Sequence, residues 1–270
     1  MNRRDFVAGS LGASMVPALG QSPSAAGSAA EGPGSAVRPQ VFELRRIRLR
    51  SGPMVARYAE YVKTALVPAL NRAGVKPVGA FTVSVGPDSP SVYLLIPHPD
   101  AESVLTLSSR MGGDAEYQRA GAAFRALPIT DPPYVRRDSS LMTAFAGFPT
   151  LQAPSGPTAV PSRVFELRTY ESHNESAGLK KIEMFDKGGE VPIFNRVGLT
   201  PVFFGRNVVG NGLPSLTYML VFPNLGAYEK AWAAFRDDPE WVKLRARPEY
   251  TDIVSNIHNV LLRPTDYSQV

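Results

Sequence analysis

The pentapeptide VFELR occurs twice in this chain, as Val41–Arg45 and as Val164–Arg168, 123 positions apart. It opens a longer echo. Val67-Pro68, Asn71-Arg72-Ala73-Gly74 and Pro77-Val78 return as Val191-Pro192, Asn195-Arg196-Val197-Gly198 and Pro201-Val202 at an offset of 124. Tyr93-Leu94-Leu95-Ile96 returns as Tyr218-Met219-Leu220-Val221 at 125, and Asp114-Ala115-Glu116-Tyr117 as Asp238-Pro239-Glu240-Trp241 at 124. Blocks that keep their order while the offset drifts by one or two residues point to a tandem duplication. The unit is about 110 residues, far too long for a solenoid repeat and suited to two whole domains.

The second copy shows best what each unit folds into. Residues 163–170 alternate, with Phe165 and Leu167 on one face and Glu166, Arg168 and Tyr170 on the other, the pattern of a half-buried strand. Asn174 or Ser176 can cap a helix running to about Arg196, broken near Gly188-Gly189 and Pro192 and stopped at Gly198. Residues 200–207 and 215–222 read as strands joined by a turn at Gly210-Asn211-Gly212. A helix over 225–236 with Tyr228, Trp232 and Phe235 on its buried side, a short helix over 240–245 and a strand over 252–262 complete the unit.

This β-α-β-β-α-β order is ferredoxin-like. Its helices cover one face of its sheet, and the other face has to be buried elsewhere. Two such units packed sheet to sheet form a closed or nearly closed α+β barrel, an intramolecular pseudo-dimer. On this reading Phe42, Leu44, Phe165 and Leu167 face the helices. Glu43, Arg45, Glu166, Arg168 and Tyr170 then face the space between the sheets, either as a mutually paired charge layer or as the lining of a ligand cleft.

RVFELRTY, NRVGLTPVFF, the DPEW of Asp238–Trp241 and the LLRPTDYS of Leu261–Ser268 resemble the NIPSNAP family. The resemblance covers residues 163–270. It is weaker over 40–150, where DAEY stands in place of DPEW and AGFPTL in place of the closing motif. It implies the dimeric α+β barrel superfamily. It implies no particular chemistry, because that family has no agreed enzymatic activity. The wider superfamily spans cofactor-free monooxygenases, haem-handling enzymes, lactone isomerases and structural members.

The chain opens MNRRDFVAGSLGASMVPALGQ. Arg3, Arg4 and Phe6 precede a mildly apolar stretch that ends in small residues at Ala18-Leu19-Gly20, which resembles a twin-arginine export signal. The expected organisation is a signal peptide over 1–20, a flexible linker over 21–39, a first unit over 40–149, a linker over 150–162 and a second unit over 163–270. The mature protein is expected outside the cytoplasm, periplasmic or extracellular. No later segment approaches 18 continuous apolar residues, so no membrane span is expected.

The 270 residues carry a net charge of +5, and the densest basic patch, Arg45 to Arg50, alternates as a strand does, so no nucleic-acid partner is expected. The absence of cysteine excludes disulfides, thiolate metal sites and cysteine nucleophiles. The histidines, His98, His173 and His258, lie in no metal-ligand spacing, and the sequence requires no cofactor. His98, between two prolines, reads as an exposed turn residue, and His173, just before a helix, as a residue that either caps it or does nothing. His258, within the last strand, points into the core or between the sheets. The expected function is that of a binding or interaction protein, with a small hydrophobic ligand or a protein as partner and a higher oligomer left open. The alternatives are an oxygenase- or isomerase-type enzyme acting between the sheets, and a haem or metal protein using His258.

Overall fold

The structure, a computed structural model, describes residues 37–156 and 160–270. Arg3, Arg4, Phe6 and the rest of the expected signal lie outside the described residues, as does most of the first linker. Strand β1 (Val41–Arg48) leads into a continuous helical stretch made of α1 (Pro53–Tyr61), a π-helical turn (Val62–Leu66) and α2 (Val67–Arg72). Strands β2 (Gly79–Val83) and β3 (Ser91–His98) follow, then α3 (Ala101–Gly112), the short α4 (Ala115–Ala120) and α5 (Ala122–Arg125), and β4 (Arg136–Ala144). The second half runs β5 (Val164–Glu171), α6 (Glu175–Asp186), α7 (Glu190–Val197), β6 (Thr200–Val209), β7 (Ser215–Phe222), α8 (Leu225–Asp237), α9 (Pro239–Arg245) and β8 (Asn256–Pro264).

The fold is α+β, and its strands pair antiparallel in one closed barrel, in the order β1-β3-β2-β8-β5-β7-β6-β4. β1 lies between β4 and β3, and β5 between β8 and β7. The halves join edge to edge at β2–β8 and β4–β6, so every strand has two neighbours and the barrel has no free edge.

The expected helix break is present. α6 ends at Asp186, and Gly189, with φ of 99°, turns the chain into α7, a backbone conformation that glycine adopts without strain. The repeated sequence blocks also meet in space. Arg72 bonds Asp114 at 2.8 Å in the first half, and Arg196 bonds Asp238 at 2.8 Å in the second. Each aspartate also caps the helix that follows it, Asp114 accepting from the Tyr117 N–H and Asp238 from the Glu240 and Trp241 N–H groups. The repeat thus spells a clamp between the helix before the second strand and the short helix before the last.

The face assignment read from the alternation is reversed. Phe42, Phe81, Phe165, Leu167, Phe203 and Met219 pack together inside the barrel. Phe42 meets Phe203 with ring centroids 5.1 Å apart, and Phe81 meets Phe165 at 4.7 Å, so both ring pairs bridge the halves. Glu43, Arg45, Glu166, Arg168 and Tyr170 point outward, toward the helices. The physical reason is size. An eight-stranded barrel is just wide enough for side chains to fill, and rings from both halves fill its middle, so the inward charges, Arg46 with Asp88 and Asp138, are confined to one mouth. Helices coat the outer face, so β3 and β7 are buried at every residue, and both faces of β1 and β5 are largely covered.

Two further clusters lie between the barrel wall and its helices. One gathers Tyr58, Val62, Leu66, Leu70, Leu94 and Ile96, and the other Tyr170, Phe185, Phe194, Phe204, Tyr218 and Phe235. Residues 151–152 of the expected second linker run along the wall, the Leu151 N–H donating to Gln40 Oε1 and the Gln152 N–H to the Val202 carbonyl, each at 2.8 Å.

Candidate functional site

On the outer face of β1, under α1 and α3–α5, lies a cavity of about 600 Å3. Its floor carries Glu43 and Arg45. Tyr58, Tyr61, Tyr117 and Phe124 form its walls, and Arg125 and Arg137 also line it. Residues two apart on a strand share a face, and here Arg45 donates from Nε and Nη2 to the two carboxylate oxygens of Glu43, at 2.6 and 2.7 Å. The charge layer expected between sheets is therefore a pair within one strand. Arg45 Nη1 makes no hydrogen bond to a described residue, and neither does the Tyr58 hydroxyl, although Tyr58 is buried.

His98 is not an exposed turn residue. It ends β3 and is 0% exposed. Its Nδ1 lies 3.1 Å from Ser103 Oγ, and its Nε2, without a hydrogen-bond partner, stands 3.8 Å from Glu43 Oε2. Burial pushes the Glu43 carboxyl up, but His98 and the Arg45 guanidinium outweigh it and hold the pKa at about 2. Burial raises the Tyr58 hydroxyl well above its ordinary value. Burial, with the 2.7 Å bond to Tyr117, does the same for Tyr61, so both stay protonated donors at neutral pH. The Tyr61 ring stacks on Phe124 at 4.0 Å, and Arg125 lies over the Tyr117 ring at 4.8 Å.

The second half has the matching cleft, of about 470 Å3, with Arg168, Tyr170, Trp232 and Trp241 in its lining. Glu166, 0% exposed, accepts from Trp232 Nε1 at 2.7 Å, Arg168 Nη1 at 2.8 Å and Asn259 Nδ2 at 3.3 Å. Register makes Phe222 the counterpart of His98, since Val164 faces Phe222 as Val41 faces His98. Arg168 and Tyr170 are thus near Glu166, and Glu43 is near Arg45, but barrel wall separates the two groups.

His258 belongs to neither cleft. It lies at one mouth of the barrel, with its side chain 61% exposed and its Nε2 2.9 Å from both Glu171 Oε1 and Asn256 Nδ2. The same mouth carries a charge network that the sequence reading missed. Arg46 bonds Asp88 at 3.0 Å and Asp138 at 3.1 Å, and Tyr93 donates to Asp88 at 2.9 Å. Among the described residues no group of three or more His, Asp or Glu side chains is placed to hold a metal ion. His173 is exposed beside Asn174, which is the residue that caps α6. The missed residues Tyr58, Tyr61, Tyr117 and Phe124 show only weakly in the sequence, as an aromatic at i and i+3 on α1 that core packing would equally explain.

Residues 165–269 match the NIPSNAP family. No curated protein matches the chain. Among solved structures, a candidate monooxygenase from Lactobacillus acidophilus NCFM superposes with a TM-score of 0.56 at 10% identity, over 84% of this chain and 94% of its own. A candidate chlorite dismutase gives 0.51 at 11% identity, over 85% and 96%. An uncharacterized NIPSNAP-like domain protein from Burkholderia xenovorans gives 0.37 at 18% identity, over 40% of this chain and 90% of its own. The first two are dimeric α+β barrel proteins, and the likeness to them is one of fold.

Proposed function

We propose that this protein binds a planar, anionic small molecule in the cleft over β1. The observation that carries the reading is Arg45, pinned by Glu43 with no hydrogen bond at Nη1, in the same cavity as the unpartnered Tyr58 hydroxyl. A guanidinium fixed at the floor of a cavity with aromatic walls is a ready receptor for a carboxylate or enolate. The tyrosine and phenylalanine walls supply the apolar area, and Arg125 and Arg137 add positive charge.

Calorimetric titration with 2-naphthoate tests this. Tyr58→Phe combined with Arg137→Ala is expected to weaken binding by at least about tenfold, with the neutral alcohol of the same ring system binding weakly to both proteins. Equal affinity for acid and alcohol, or no effect of the two substitutions, would overturn the reading.

One observation favours an enzyme of oxygenase or isomerase type in the same cleft. The buried His98, with Nε2 unpartnered 3.8 Å from Glu43 Oε2, stands behind the cleft floor, where it can exchange a proton with a bound molecule by way of the Glu43 carboxylate. Oxygen uptake or product formation that disappears in His98→Phe while ligand affinity persists would select this reading over simple binding.

Two statements about the whole chain belong with it. The first is that the chain arose by tandem duplication, supported by the repeated blocks and by the like placement of the two VFELR strands and of the two Arg–Asp clamps. The second is export through the twin-arginine-type signal at Arg3, Arg4 and Phe6, supported by the sequence alone. Arg3→Lys with Arg4→Lys is expected to hold the full-length protein in the cytoplasm, and a shortened form still appearing outside would refute it.

A further inference from the structure

The cleft over β5 differs from its counterpart in what fills it. Trp232, Trp241 and Tyr228 stand in its lining with Arg168, Arg236 and Arg245, and Glu229 is the acidic lining residue. The Arg168 guanidinium lies over the Trp232 indole at 4.5 Å and faces the Tyr170 ring at 5.4 Å. Nη1 of Arg168 is engaged by Glu166, but Nε has no partner and no solvent contact. Glu166 is itself fully used, by Trp232, Arg168 and Asn259. Arg236 and Arg245 pair with no carboxylate among the described residues. With Glu166 and Glu229 set against three arginines, the cleft keeps a net positive charge between aromatic walls.

We propose that this cleft is a second ligand site, for a planar aromatic carboxylate or a similar ring-borne anion. The ring would lie against Trp232 and Trp241, and its charge would sit toward Arg236 and Arg245. A site of about 470 Å3 takes a ligand of one or two rings. Indole faces and flat guanidinium groups favour a delocalised, planar anion over a compact phosphate, which would leave the aromatic walls wet. The proposal stands on these residues and does not need the first cleft to be occupied.

The chain has two tryptophans, and both line this cleft, so indole fluorescence reports on it alone. 4-Nitrobenzoate, which quenches indole, is the probe, with 4-nitrobenzyl alcohol as its neutral counterpart. The expected result is saturable quenching by the acid and binding about tenfold weaker for the alcohol. Arg236→Ala with Arg245→Ala, both on the exposed rim, is expected to lower the apparent affinity for the acid about tenfold and to leave far-ultraviolet circular dichroism unchanged. Tyr58→Phe with Arg137→Ala is expected to leave the indole signal untouched, so failure of the first cleft and failure of this one are separable. Unsaturable quenching, equal quenching by acid and alcohol, or saturable quenching indifferent to the two rim arginines would overturn the proposal.

Discussion

Glu43 concentrates the local chemistry into one carboxyl group. Its pKa of about 2 in the fold lies below the 4.5 of an unperturbed glutamate. A group lowered on folding contributes fully above its unfolded pKa and loses that contribution as pH falls through the folded value. The window is therefore about pH 4.5 down to about 2, and the amount at stake is up to about 3 kcal/mol. Urea unfolding at pH 6 and pH 3 is expected to show a larger acid loss for the parent protein than for Glu43→Gln. Equal losses would show that Glu43 is not stabilised by its surroundings. That Glu43 and Arg45 share a face was legible in the sequence, because residues two apart on a strand point the same way; that they pair with each other and not across the barrel was not. Nor was the third member of the group. His98 lies far along the chain between Pro97 and Pro99, a setting that reads as a turn, and only strand pairing of Val41 with His98 brings it behind Glu43.

At the scale of elements, the pair α6 and α7 shows how a break in a helix creates a buried charge. The chain doubles back at Gly189, and Lys181 on α6 meets Glu190 on α7 at 2.6 Å, with both side chains almost fully enclosed. Phe185 lies 4.2 Å from the lysine nitrogen. Burial pushes the lysine pKa down and the glutamate pKa up, so each group depends on the other to stay charged. Lys181→Met alone leaves a carboxylate stranded and is expected to cost about 3–5 kcal/mol. Lys181→Met with Glu190→Leu is expected to recover most of that in a denaturant titration. A double variant as unstable as the single one would mean that the pair itself, and not the stranded charge, sets the cost. Gly188-Gly189 announced the break in the sequence. The pairing could not be read there, because a lysine in an amphipathic helix ordinarily faces water.

For the whole molecule, the barrel closes only when both halves are present. Residues 160–270 alone would expose Phe165, Val202, Phe203, Met219 and Leu262, together with the unpaired edges of β8 and β6. An apolar face of that kind reaches or passes the roughly 300–600 Å2 of the largest patch on an ordinary monomer. Expressed alone, this half is expected to run as a dimer or larger species in size-exclusion chromatography with light scattering. A well-behaved monomer would contradict the packing described for the barrel interior.

The sequence by itself determined the element order, the helix break and the α+β class, because periodicity, glycine placement and caps are local signals. Strands 215–222 and 200–209 fell almost where the alternation and the turn glycines put them. Only the tertiary structure decided which face of β1 and β5 is inside. Alternation separates two faces but does not label them, and here both are covered, one by the other half of the barrel and one by helices. The middle of this eight-stranded barrel is filled by Phe42, Phe81, Phe165 and Phe203 from both halves, and charge on the inner face stays at the mouth. The Glu-x-Arg pairs therefore turn outward, into the gap between barrel wall and helices, and that gap is where the two clefts lie.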